Sequence, residues 1–241
     1  MRILVTNDDG LHAAGLIHLV RFCRQLGEVT TIVPLVEQSG KSQGIELKKP
    51  FQVQEVELEP GITAFSVDST PADCVRFAVL GMHLKFDLAI SGINRGLNVG
   101  ADIMYSGTVS AVCEAVNLGI PALALSTEPV CYETAIHHMN RVWDFIQTNK
   151  LLDVHNLYNI NIPRDAGDFR ITRQGGPYYS DDYIPQGNNL FLPHGKDVFT
   201  ESGTMELDTD ATLRGHYISV TPLTIQRTDM QIFSAIKKLN P

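Results

Sequence analysis

No apolar run in this sequence approaches the ~20 residues that a bilayer-spanning helix needs, so the chain is not expected to cross a membrane. Basic residues are scarce: 19 Lys+Arg stand against 27 Asp+Glu, a formal net charge of −8. That balance disfavours broad binding to nucleic acid or membrane surfaces, whose phosphates would be repelled. A small anionic substrate stays open, provided a cation screens it locally. The four cysteines, Cys23, Cys74, Cys113 and Cys131, form no CxxC pair, and no Cys/His cluster suits zinc. Cys23 and Cys113 lie in helix-like apolar patterns, and free, buried thiols in a reducing cytosol are expected. The N-terminal Met1-Arg2-Ile3-Leu4-Val5 enters a strand without a charged segment and small-residue cleavage site, so the expected location is cytoplasmic. Internal repeats and low-complexity tracts are absent. What is present suffices for a soluble globule. With 241 residues, 44% hydrophobic and 19% charged, the chain can bury roughly 70–75% of its unfolded surface.

The first third alternates strand and helix. Ile3-Leu4-Val5 reads as a strand buried on both faces. Leu16, Leu19, Val20, Cys23 and Leu26 recur at helical spacing, with Gly27 as the stop. Glu28 to Val33 reads as the second strand, which implies a right-handed βαβ unit. Two extended segments are expected near Ile45–Leu58 and Ile62–Val67, and Ser69-Thr70-Pro71-Ala72-Asp73 announces a helix. Phe86 to Ile90 reads as a strand that empties into a Gly-rich loop, Ser91 to Gly107, before a helix from Thr108 to Leu118. Ile120–Leu125 is expected as a strand, Tyr132–Gln147 as a helix and Asn156–Ile162 as the last sheet strand. Beyond Pro163, Gly and Pro become dense, which suggests an arm or hairpin that makes a dimer contact. Tyr217–Val220 and Asp229–Lys238 read as a strand and a terminal helix. The expected fold is α/β, Rossmann-like and doubly wound, with a mostly parallel sheet and an irregular C-terminal β-rich arm. We expect one domain over 1–241, with its core at about 1–163 and an oligomerisation arm and tail at about 164–241.

In such sheets ligands bind beyond the carboxyl ends of the strands. Asn7-Asp8-Asp9-Gly10, Ser39-Gly40-Lys41-Ser42 and Ser91-Gly92-Ile93-Asn94 all fall at such ends. Adjacent carboxylates repel by about 4 kcal/mol at ~4 Å and an effective dielectric near 20. A divalent cation removes that cost, and carboxylate, hydroxyl and amide oxygens suit Mg²⁺ or Mn²⁺. A lone acid before a helix is commonly no more than a cap; a pair on the first strand favours the site. Tyr105-Ser106-Gly107-Thr108 opens a helix whose N–H groups and hydroxyls could cradle phosphate, though an ordinary cap has the same sequence. Lys41 and Arg95 lie in the same loops and could neutralise a dianion, and His12, nearest the acidic pair, is a general-acid candidate. Tyr105, Tyr178 and Tyr179 could stack a base or serve packing.

Several motifs mislead. Gly40-Lys41-Ser42-Gln43-Gly44 matches GxSxG, yet a nucleophile elbow needs an immediate helix and Ile45-Glu46-Leu47-Lys48 looks extended. The same residues mimic the end of a P-loop, but Leu35 stands where that motif needs Gly. No GxGxxG follows the first strand, which argues against a dinucleotide site. Receiver domains also carry an acidic pair, but they are about half this length.

Ile3-Leu4-Val5-Thr6-Asn7-Asp8-Asp9-Gly10, Gln38-Ser39-Gly40 and Thr70-Pro71-Ala72-Asp73-Cys74-Val75 resemble blocks of the survival protein E (SurE) family of metal-dependent 5′-nucleotidases and acid phosphatases. The most specific block is Ser91-Gly92-Ile93-Asn94-Arg95-Gly96-Leu97-Asn98-Val99-Gly100, followed by Tyr105-Ser106-Gly107-Thr108-Val109. Asn159-Ile160-Asn161-Ile162-Pro163, Thr172-Arg173-Gln174-Gly175 and Thr209-Asp210-Ala211 carry the likeness almost to the C-terminus. Ser69, where the family usually has Gly, and the run Val109-Ser110-Ala111-Val112-Cys113-Glu114-Ala115 depart from the pattern and concern packing.

The resemblance implies that Asp8, Asp9, Ser39 and Asn94 bind one divalent metal, Mg²⁺ or Mn²⁺, in each subunit. It implies hydrolysis of nucleoside 5′-monophosphates, with looser action on other phosphomonoesters and, in some members, short polyphosphate. It also implies dimers or tetramers with exchanged C-terminal segments. Asp8 and Asp9 are then the expected catalytic residues. Asn7, Asn94, Ser106, Gly107 and Thr108 are the expected phosphate ligands. The alternatives are a metal- and nucleotide-binding regulatory protein without turnover, and a serine hydrolase built on Ser42.

Overall fold

Alternation within the first strand, β1 (Arg2–Thr6), sets the layers. Ile3 and Val5 face one layer of helices and Leu4 the other, all three fully buried. A strand covered on both faces has to be apolar at every step, because its side chains alternate in direction. A computed structural model describes residues 1–239. In it α1 (Ala14–Leu26) buries Leu16, Leu19, Val20 and Cys23 and ends at Gly27, and β2 (Glu28–Pro34) then returns parallel to β1. The next extended segment is shorter than expected: residues 45–52 are irregular, and β3 (Val53–Glu59) pairs antiparallel with β4 (Ile62–Val67).

In α2 (Pro71–Arg76) the Thr70 hydroxyl accepts the Asp73 N–H at 3.1 Å, and Pro71 takes the first turn, where its missing N–H is harmless. Leu88–Arg95 forms β5, so the strand runs into the segment expected as loop, with a register shift against its neighbour between Ser91 and Asn94. A 3₁₀ turn at Gly100–Tyr105 leads to α3 (Gly107–Asn117) and β6 (Ala122–Thr127). Next come α4 (Tyr132–Thr148), the short α5 (Leu151–Val154) and β7 (Leu157–Ile162).

Contrary to expectation, β7 is not the last sheet strand. After β8 (Phe169–Ile171), the chain forms a separate antiparallel hairpin, β9 (Tyr179–Gly187) and β10 (Leu190–Asp197). It then returns through α6 (Asp208–Leu213) to β11 (Ile218–Pro222), which inserts antiparallel to β7 and parallel to β8. A last helix, α7 (Met230–Ile236), is capped by the Asp229 carboxylate.

The nine-stranded sheet has the order β3-β4-β2-β1-β5-β6-β7-β11-β8 and is mostly parallel. Its connections leave β1 toward β2 on one side and continue from β5 on the other. Ligands in open α/β sheets bind at such a switch point, beyond the strand ends. Helices α1 and α4 pack on one face against Ile3, Val5, Ile90, Leu123 and Leu125. Helices α2 and α3 pack on the other against Leu4, Ile32, Ala89, Ala122 and Ala124, where small side chains let α3 lie close. Among the described residues no helix is long and apolar enough to cross a membrane. All four cysteines are free, and Cys113 alone of them is half-buried rather than buried.

Asp208 ties the C-terminal segment to the core. Wholly buried at the start of α6, its carboxylate accepts the Gly175 N–H at 2.7 Å and the Gly100 N–H at 3.1 Å. Burial pushes this carboxyl from 3.8 up to about 6, and those N–H groups offset only part of the rise. Between about pH 4 and pH 6 the folded chain therefore keeps a proton that the unfolded chain has released. Stability from this group falls as pH rises through that window and is level above it. Asp208→Asn is expected to remove the slope, improving relative to wild type by up to about 3 kcal/mol between pH 4 and pH 7. Urea midpoints at the two pH values measure it.

Candidate active site

Three separate segments meet beyond the ends of β1 and β5, and named hydrogen bonds join them. The Gln38 N–H donates to the Asp8 carbonyl at 2.7 Å, drawing the Ser39 loop onto the acidic pair. The Arg95 N–H donates to the Asp9 carboxylate at 2.9 Å, bringing in the end of β5. The Thr108 hydroxyl donates to the Asp8 carboxylate, which joins the start of α3. Gly10 makes the first turn possible: its φ is +90°, and a Cβ there would sit 2.9 Å from the Val36 carbonyl carbon.

Burial governs the electrostatics. Asp8 is 3% exposed, and desolvation raises its pKa, opposed by the Thr108 hydroxyl and by the N–H groups of Thr108 and Gly107. Desolvation also pushes Asp9 up to about 6, opposed by the Arg95 N–H and reinforced by the charge of Asp8. Two carboxylates are thus held side by side where ionisation is unfavourable. Only a nearby positive charge makes the doubly ionised state comfortable.

The two other expected ligands, Ser39 and Asn94, hydrogen-bond to neighbours other than the acidic pair. The Ser39 hydroxyl donates to a Glu37 carboxylate oxygen at 2.8 Å, which leaves its lone pairs free. The Asn94 Nδ2 donates to the Gly96 carbonyl at 2.8 Å, which turns its amide oxygen away from that bond. Among the described residues no group of three or more His, Cys, Asp and Glu side chains could hold a metal. A cation at Asp8 and Asp9 would therefore complete its shell with hydroxyl and amide oxygens, a set that suits Mg²⁺ or Mn²⁺.

The expected phosphate ligands divide. The Asn7 amide is buried and pairs with Gly10 twice, Nδ2 to the carbonyl at 2.9 Å and Oδ1 from the N–H at 3.2 Å, so it closes the turn. Ser106 caps α3 by accepting the Val109 N–H at 3.1 Å and keeps its hydroxyl proton. Thr108 and Gly107 point toward Asp8. The loop between Asn94 and Ser106 is held from below: the Asn98 carbonyl accepts from Asn159 at 2.7 Å and from Asn161 at 2.9 Å. The Asn98 Nδ2 reaches the Ser126 hydroxyl at 2.8 Å.

Lys41 lines a different pocket, with Phe51 and Asp68. No helix follows Ser42, so the nucleophile elbow fails. His12, Arg95 and Asp9 share one pocket. Tyr178 and Tyr179 pack at a tilt of 57° with ring centroids 4.4 Å apart and line a pocket that contains neither Asp8 nor Asp9. Sequence reasoning missed Glu37 as the partner of Ser39, Thr108 as the partner of Asp8, and Tyr132. The first lay two residues from Ser39 and was open to reading; the other two are contacts across the fold.

A Cβ at Gly107 would lie 2.6 Å from the Asp8 Cβ and 2.8 Å from its carboxylate oxygen. Gly107→Ala is therefore expected to displace Asp8 and weaken Mn²⁺ binding by about 10–100-fold, the usual loss when a ligand's support is disturbed. Titration calorimetry with Mn²⁺ tests this, with circular dichroism checking the fold.

Residues 3–181 match the family of Survival protein SurE. The 5′-nucleotidase SurE of Caldanaerobacter subterraneus subsp. tengcongensis is 35% identical, over 99% of this chain and 96% of its own. That of Thermococcus gammatolerans is 34% identical, with 99% and 96% covered. The crystal structure of the SurE protein from Aquifex aeolicus superposes with a TM-score of 0.80 at 29% identity, over 100% of both chains. With the acidic pair of β1, the Ser39 loop, the end of β5 and the start of α3 gathered at one switch point, this chain belongs to the SurE family.

Proposed function

We propose that the chain is a metal-dependent 5′-nucleotidase that hydrolyses nucleoside 5′-monophosphates to nucleoside and phosphate. The observation that carries this reading is the pair of adjacent carboxylates at the switch point, Asp8 buried and Asp9 half-buried, with the loops of Ser39 and Asn94 drawn onto them by backbone hydrogen bonds. Relatives named 5′-nucleotidase SurE over nearly their whole length support it. One divalent cation per subunit, Mg²⁺ or Mn²⁺, would be held by Asp8, Asp9, Ser39 and Asn94 and would supply charge neutralisation and Lewis acidity.

The chain's own groups do the rest. Thr108 and the first turn of α3 hold Asp8 in one orientation. The Arg95 N–H does the same for Asp9. Ser106 with its free hydroxyl proton, the Asn94 amide and the remaining Nδ2 hydrogen of Asn7 hold the phosphoryl oxygens, with the Gly107 and Thr108 N–H groups shared between those oxygens and Asp8. Preorganised dipoles of this kind stabilise the charge that develops there. Asp8 either attacks phosphorus, forming an aspartyl phosphate as the ester P–O bond to the nucleoside breaks, with water then hydrolysing it to free phosphate, or orients a water that displaces the nucleoside directly. Trapping the acyl phosphate separates the two.

The reading extends to other phosphomonoesters and to short polyphosphate. It places the protein in the reducing cytoplasm, where its four free cysteines are at home. It also includes a homodimer or tetramer. Tyr183, Ile184, Phe191 and Leu192 on the hairpin and Ile232, Phe233 and Ile236 on α7 are exposed, and apolar patches of this kind call for a partner surface.

Two measurements test the reading. Phosphate release from AMP is expected with Mn²⁺ or Mg²⁺, to vanish in excess EDTA, and to fall by about 10³-fold in Asp9→Asn with the fold intact. A folded protein releasing no phosphate under either metal would instead be a binding protein. Light scattering is expected to give a multiple of the 26.6 kDa chain mass, reduced by Phe191→Asp.

A further inference from the structure

Two guanidiniums stand near the end of α1, and their surroundings differ. Arg21 is taken up by the Glu59 carboxylate, which accepts from its Nε at 3.1 Å and from its Nη2 at 2.6 Å. Arg24 makes one hydrogen bond among the described residues, from Nη1 to the Gly61 carbonyl at 3.0 Å, and has no ion-pair partner there. Most of its planar fork of donors is therefore unused.

Arg24 lines a pocket of about 420 Å³, a size common among small-molecule sites. This pocket lies at the opposite end of the strands from the acidic pair. Its walls include Glu28, where β2 begins, and Ile62, where β4 begins. Val20 precedes Arg24 by four residues and so lies beside it on α1. Val29 and Thr31 share one face of β2, because side chains alternate along a strand. Val20, Val29 and Ile62 belong to the same apolar layer and line the pocket together.

Thr31 supplies an independent sign that something binds here. It is 2% exposed, it lines the pocket, and its hydroxyl has no hydrogen-bond partner among the described residues. A buried hydroxyl left unpaired is costly, and each such group calls for a reason. Packing is not the reason, since valine would fill the same shape without the polar atom.

The charges select the class of ligand. Arg24 is the one cationic side chain of the walls, and its fork matches a carboxylate. Glu28 is the one acidic residue there, so a second negative charge on the ligand would be repelled. Three apolar side chains offer cover for a short carbon chain.

We propose that this pocket binds a small monocarboxylate, with Arg24 holding the carboxylate, Thr31 donating to it, and Val20, Val29 and Ile62 covering the carbon chain. The site is separate from the acidic pair, and the proposal does not rest on the nucleotidase reading.

Butyrate is the probe, followed by methyl NMR on protein labelled at valine and isoleucine. Saturable shifts at Val20, Val29 and Ile62 are expected with a Kd of about 1 mM, within reach of a ligand of so few atoms. Succinate, with its second carboxylate, is expected to bind about tenfold more weakly. Arg24→Gln is expected to weaken butyrate binding by about tenfold, the loss of a charge-assisted contact, while Arg21→Gln leaves it unchanged. Thr31→Val is expected to weaken binding about fivefold yet melt no lower than wild type, because it removes an unpaired buried hydroxyl. Shifts that do not saturate, succinate binding as tightly as butyrate, or affinity unchanged in either Arg24→Gln or Thr31→Val would each overturn the proposal.

Discussion

The carboxylate of Asp8, buried at the tip of β1 and grasped by the first turn of α3, is the constraint on which the rest of the site depends. Desolvation opposes its ionisation, and the Thr108 hydroxyl with two backbone N–H groups offsets that penalty in part. Asp9 adds a second reluctant charge one residue on. Two such groups do not stabilise a fold. They are kept at a cost, which is the usual mark of residues retained for chemistry. The neighbouring sequence follows from this. Gly107 has no side chain because Asp8 occupies the space, and Gly10 has none because the Ser39 loop must pack against the turn.

A site built on loops needs its loops held still, and buried polar pairs do that here. Asn159 and Asn161, fully buried near the end of β7, grip the Asn98 carbonyl and so fix the segment between Asn94 and Ser106. Glu114, buried on α3, pairs with Arg76 at 2.9 Å and takes the Gln43 amide at 2.8 Å, anchoring the chain that follows Ser39. The Asp73 carboxylate accepts the Glu46 N–H at 2.9 Å and secures the same stretch from α2. Buried polar contacts of this kind specify one arrangement more sharply than apolar packing does, even though the Asn159 Oδ1 has no partner among the described residues.

This division explains what the sequence disclosed. The parallel core was legible because Ile3-Leu4-Val5 of β1 is apolar on both faces and α1 repeats at helical spacing. The three polar clusters could be gathered because strand ends in such a sheet converge. Less visible was the length of β5: Ser91-Gly92-Ile93-Asn94 has loop composition yet is strand, since pairing with β6 outweighs local propensity there. The insertion of β11 between β7 and β8 was hidden for another reason. A strand of five residues carries no sign of which edge it will join. The contacts of Thr108 with Asp8 and of Asn7 with Gly10 were not legible either, because a hydroxyl or amide at a strand end looks the same in sequence whichever neighbour it meets.

The scarcity of basic residues now has a physical sense. A phosphomonoester dianion could be met by a cluster of lysines and arginines, but none lines the Asp8–Asp9 turn. The proposed reading relies instead on oxygen donors suited to a cation, on backbone N–H groups at a helix start and on neutral amides and hydroxyls. These bind charge without adding fixed charge. Beside that turn Glu37 and Asp9 share a pocket with Arg95. In a molecule of net charge −8, the proposed reading therefore has the phosphate's charge met by a bound cation and by neutral dipoles rather than by fixed basic side chains.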